Sequence, residues 1–167
     1  MFYAFRKGIC MEYTITREKS IKVIGIAIRT TNQNKRAMDD IAALWKRFED
    51  EDIYEQIPNK ISENILSIYT DYEYDFTRPY TYMIACPVAN FDAVPEGMIA
   101  RTIPTGNYMK FAAKGKMPDE LLHTWNEIWK MQLPRSYRTD FEVYHVATRG
   151  KEFEDYAEID VMIGSAI

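Results

Sequence analysis

The spacing of apolar and polar residues changes period along this chain in a regular order. Alternation with period two predicts strands over residues 13–17 and 23–30, the second interrupted by Gly25. Met38, Ile41, Ala42, Leu44, Trp45 and Phe48 then recur at helical spacing, predicting a helix over 36–50 with Asn34 as its cap and Pro58-Asn59 beyond its exit. Strand-like runs follow at 66–74 and 80–88, joined by a turn around 75–79. After "NFDAVPEG" the order starts again. Runs at 98–103 and 107–113 read as strands with "IPTG" between them, and "KMPDELLHTWNEIWKMQLP" reads as a helix. Its stripe is Leu121, Leu122, Trp125, Ile128 and Trp129, with Pro118 suited to the first turn and Pro134 closing the segment. Strands over 141–147 and 157–163 end the chain.

This order is an internal repeat of strand, helix and hairpin. Trp45 and Trp125 each sit in the middle of their helix, and "PYTYMIACPV" aligns without gaps to "EIDVMIGSAI", sharing Met-Ile. The predicted class is α+β: one antiparallel sheet built from two such modules, carrying two main helices with a groove between them. The boundaries expected are an N-terminal extension over 1–10 and one domain over 11–167, with halves of about 11–90 and 95–167. Met11 is itself a candidate first residue, and residues 1–10 are expected to be poorly ordered or loosely docked. A half of roughly 70 residues buries little surface alone, so the two are expected to share a core.

The last strand poses the functional question. Ala157, Ile159, Val161 and Ile163 share one face; Glu158, Asp160 and Met162 share the other. Only the second repeat carries these acids, since Asp160 aligns with Thr81 and Glu158 with Pro79. On alternation alone they are solvent-exposed charges, because antiparallel sheets commonly leave one face wet. Trp125 and Trp129, one turn apart on an apolar stripe, read on pattern alone as core, and Tyr108 as strand packing.

Composition narrows the functions. A net charge of −4 with no offsetting Lys/Arg cluster argues against nonspecific nucleic-acid binding. No apolar stretch is long enough to span a bilayer, and the first ten residues are too poorly patterned for a secretory signal. Two widely separated cysteines, Cys10 and Cys86, fit a reducing cytoplasm. His123 and His145 stand alone, so no metal and no cofactor is expected. The chain lacks G-x-S-x-G and the phosphate-binding glycine motifs. Aromatic residues make up 14%, with twelve tyrosines, a composition suited to walls that touch ligands as well as to a core.

"TIPTGNYMKFAAKG", the tryptophan-bearing helix after it, "DFEVYHV" and the closing "EIDVMIG" together resemble the GyrI-like, or AraC-type effector-binding, family, in its stand-alone version. That resemblance implies a groove for bulky, often cationic and aromatic small molecules. An acid on a late strand would pair with the cation, and aromatic side chains would sandwich it. By spacing from Gly164, Asp160 matches the family's acid, with Glu158 as alternative should the register differ; Tyr108 matches the aromatic after the "TG" turn, and Trp125 and Trp129 the second helix's aromatic side. Met162 would add a polarizable, adaptable neighbour.

The function expected first is therefore that of a cytoplasmic small-molecule-binding protein, acting in drug sensing or sequestration as effector-binding domains of transcription regulators do. Its partner would be a cationic aromatic ligand, with no direct nucleic-acid or membrane contact. The second reading is a hydrolase of strained cyclopropane rings in DNA-alkylating natural products, using a desolvated acid as general base. The third is a protein-interaction module such as a gyrase modulator, with "FEDEDIYEQ" as its acidic face. A protein partner or homodimer stays open.

Overall fold

A computed structural model describes residues 11–145 and 156–167 of the chain. Strands β1 (Thr14–Glu18) and β2 (Ile21–Thr30) lead into α1 (Arg36–Asp50) and a one-turn α2 (Ile53–Gln56). Then come β3 (Ile65–Thr70), β4 (Tyr80–Pro87), β5 (Ile99–Ile103), β6 (Gly106–Gly115), α3 (Asp119–Lys130), β7 (Thr139–Tyr144) and β8 (Ala157–Gly164). The expectation for residues 1–10 lies outside the described residues, as do the last two positions of the strand predicted over 141–147.

All eight strands form one antiparallel sheet in the order β1-β6-β8-β7-β3-β4-β2-β5. An antiparallel α+β sheet with two main helices is the architecture read from the sequence, and the sheet is curled. Strand, helix and hairpin occur twice, as β2-α1-β3-β4 and β6-α3-β7-β8, and the two sets join along β3 and β7. Met83 pairs with Ile68, Met162 with Phe141, and Ile68 with Phe141. The Ile68–Phe141 pair thus marks an approximate two-fold axis, which carries Tyr69 onto Glu142 and Ser67 onto Asp140.

Local departures from the predicted elements have local causes. Strand β3 stops at Thr70 rather than 74, because Asp71 takes a positive φ of 49° and turns the chain. Asn34 does not cap α1: it stands at φ 55° inside a short 3-10 turn, and Lys35, also left-handed, occupies the cap. Gly25 is needed for close approach, since a Cβ there would lie 1.9 Å from the Ile84 carbonyl oxygen on β4.

Both faces of the sheet are packed. On one face α1 covers β2 and β4, and α3 covers β6. Leu44 and Phe48 bury against Ile24, Ile26, Tyr82 and Ile84; Trp125 and Ile128 bury against Met109, Phe111, Val161 and Ile163. On the other face, Val23, Leu66, Ile68, Met83, Ile103, Tyr108, Phe141 and Met162 form a second core. The helices therefore sit over the two halves and leave the central strands, β3 and β7, as the floor between them.

Candidate functional site

The uncovered floor differs in composition from the rest of the helix-side face. Elsewhere that face is mainly apolar, but β3 presents Ser67 and Tyr69 there, and β7 presents Asp140, Glu142 and Tyr144. Their alternates Leu66, Ile68, Phe141 and Val143 pack in or against the second core. Over this floor lies a cavity of about 420 Å3, within the ~300–1,000 Å3 range of small-molecule sites. Ile41 and Trp45 of α1 form one wall, Leu121 and Trp125 of α3 the other. Met38, Leu122 and Trp129 contribute half-exposed or exposed apolar surface at its edge.

Glu142 is the cavity's acid, with 1% of its surface exposed. Three side chains donate to its carboxylate: Trp125 Nε1 at 2.6 Å, Tyr144 Oη at 2.9 Å and Tyr69 Oη at 3.2 Å. Burial pushes its pKa above the usual carboxylate value, and the donors, Trp125 foremost, pull the other way. Tyr69, Tyr82 and Tyr144 have pKa values raised by their own burial, with the Glu142 charge next, so they remain neutral donors. The rings are packed edge to face or tilted around the carboxylate. Tyr69 lies 5.0 Å from Trp125 and 5.1 Å from Tyr82, and Trp45 lies 5.2 Å from Tyr144. A second relay braces the α1 side, where Trp45 Nε1 donates to Tyr82 Oη, itself 2.7 Å from Ser67 Oγ.

Two more buried charges stand beside this cage. Arg135, 4% exposed, places Nη2 2.6 Å from Asp140, which is fully buried. Asp140 also accepts from Tyr72 Oη at 2.6 Å and from the Gly164 amide at 2.8 Å. Asp140 is thus neutralised and saturated. Among the described residues, Glu142 has donors but no ion-pair partner. With both acids ionised, the three groups together carry one net negative charge.

Of the six residues singled out from the sequence, the fold brings Trp125 and Trp129 to the cavity wall. Asp160, Glu158, Tyr108 and Met162 stand on the opposite face of the sheet. Asp160 lies 3.4 Å from Lys110 and 2.9 Å from His145, and Glu158 lies 3.3 Å from Lys114. Tyr108 donates to the Pro104 carbonyl at 2.7 Å and stacks edge-on against Phe141; Met162 is buried beside them in the second core. The reason is phase. On β8 the helix-side positions are Ala157, Ile159, Val161 and Ile163, so the acids between them must face away. The acid in the cavity comes instead from β7, where the sequence carries polar residues in one phase (Asp140, Glu142, Tyr144) against Phe141 and Val143 in the other. That same phase, polar in β3 as well, was the available signal.

The matched relatives share this fold. The chain matches the profile of integron-associated effector-binding proteins over residues 14–164. An integron cassette protein from the mobile metagenome of Vibrio cholerae superposes with a TM-score of 0.68 at 25% identity, covering 90% of this chain and 95% of the other. SAV2435, solved bound to tetraphenylphosphonium, superposes with a TM-score of 0.72 at 22% identity over 92% and 94%. EcmrR, solved with DNA, gives 0.58 at 15% identity over 93% of this chain and 58% of its own. A search of curated proteins gives no match. No helix among the described residues is long and apolar enough to cross a membrane. With the profile match running through nearly every element that builds the cavity, the chain belongs to the integron-associated effector-binding protein family.

Proposed function

We propose that this protein binds a bulky aromatic monocation in the cavity above Glu142, as a sensor or sequestering receptor. The observation that carries this reading is a fully buried carboxylate, set among aromatic rings, with no cationic partner among the described residues. Such a charge is costly to keep dry, and a cationic guest supplies the counter-charge where water screens it poorly. Faces of tryptophan and tyrosine add about 0.5–2 kcal/mol of cation–π attraction per contact as burial increases. The net single negative charge of the site suits a guest with one positive charge. That a fold relative was solved with tetraphenylphosphonium points in the same direction.

The test is a matched pair of guests. Tetraphenylphosphonium and tetraphenylborate have nearly the same shape and opposite charge, and tryptophan fluorescence or calorimetry follows both. The cation should bind and the anion should not. Equal affinity for the two, or preference for the borate, refutes the role given to Glu142.

A further inference from the structure

Beyond the cavity just described lies another, of about 530 Å3, lined by Met131, Gln132, Leu133 and Tyr137 on its far side. Phe76, Trp129 and Arg135 line both. The partition is thin: the Phe76 and Trp129 rings lie nearly parallel, 17° apart, with centroids 6.0 Å from each other. Neither ring is anchored deep in a core. Trp129 is 41% exposed in the last turn of α3, and Phe76 belongs to the surface loop between β3 and β4, held by a bond from Asn32 to its backbone carbonyl. The two rings, with Arg135, are thus the boundary the two chambers share.

Arg135 determines what the outer chamber accepts. Its guanidinium is stacked 4.4 Å from the Tyr137 ring centroid and 5.8 Å from that of Phe76, and its charge is already balanced by Asp140. A second cation would meet this guanidinium, and an anion would meet the fully buried Asp140 behind it. The Arg135 Nε–H, however, is buried without an acceptor. A donor left in that state is satisfied by a neutral acceptor brought to it.

We infer that the outer chamber is a second compartment of the same site. It takes an uncharged arm carrying a hydrogen-bond acceptor, so the ligand is an elongated monocation with its charge at one end. This rests on the proposal that the inner chamber takes the cationic head.

The experiment holds the head constant and varies the arm. A series of triphenylphosphonium cations carries a primary amide on alkyl linkers of increasing length, each matched to an alkyl control of equal length, with tetraphenylphosphonium as reference. At one linker length the amide should bind the wild-type protein roughly 10- to 150-fold tighter than its control, the usual scale for a bond to a charged donor. In Arg135→Lys, which keeps a positive charge beside Asp140 and removes Nε, the ratio of amide to control affinity should fall to about one, whatever the control's own affinity becomes. Alkyl controls that bind with no amide advantage at any length overturn the two-chamber inference alone. Failure of every compound, tetraphenylphosphonium included, overturns the inner-chamber reading and this one with it. The wild-type series decides the matter even if Arg135→Lys does not fold.

Discussion

Replacing Glu142 by glutamine isolates the contribution of one charge. A cation seated against the surrounding rings would lie about 5 Å from the carboxylate, and a unit pair there is worth about 3 kcal/mol at an effective dielectric near 20. Glutamine keeps a dipole and one acceptor, so the expected loss is about 2–3 kcal/mol, or roughly 30- to 150-fold in Kd. Folding should respond far less. The variant removes a buried charge whose pKa is raised by desolvation, yet it sets an amide N–H against donors that now point at the carboxylate. These effects oppose each other, and the net change should stay within about 1 kcal/mol. The assay is a titration of wild type and Glu142→Gln with tetraphenylphosphonium, beside a thermal melt of each. A variant that folds normally and binds the cation as tightly as wild type would refute the electrostatic argument, leaving hydrophobic contact as the whole of the affinity.

Four further outcomes are expected. The raised pKa of Glu142 would make binding of the proposed cation pH-dependent: affinity should climb as pH rises from 4.5 through the folded-state value, with proton release visible as a buffer-dependent enthalpy. In that window the unfolded chain ionises first, so stability of the ligand-free protein should fall with rising pH, and Glu142→Gln should flatten both trends. The double variant Asp160→Asn, Glu158→Gln should keep tetraphenylphosphonium affinity within about twofold, since both acids face away from the cavity and pair with lysines. Gly25→Ala should lower stability by about 3 kcal/mol or more in chemical denaturation, because its Cβ would collide with backbone of β4 that lies in the middle of a paired strand.

Much of the fold is written in periodicity. The helix over 36–50 and the strand, helix, hairpin order are plain because apolar positions at Met38, Ile41, Leu44, Trp45 and Phe48 have one interpretation. Trp125 and Trp129 are likewise legible, since a stripe of aromatics on the second helix must lie against the sheet or its groove. The identity of the buried acid was harder to read. Alternation separates the faces of one strand but does not say which face the helices cover; that depends on pairings between strands distant in sequence, where β1 joins β6 and β5 joins β2. With both faces packed, Asp160 beside Met162 and Glu142 beside Tyr144 look alike locally. Strand order distinguishes them: β8 runs beneath α3, while β7 lies at the centre where no helix sits.

The near-symmetry about Ile68 and Phe141 has a consequence for how a guest rests. A duplicated scaffold of this kind could hold a charge on its axis, equidistant from both helices. Here one copy has tyrosine where the other has glutamate, so attraction is displaced toward the second helix and its indoles. A cationic guest would have its positive centre drawn off the midline, and a shape with no front or back of its own would acquire one on entering.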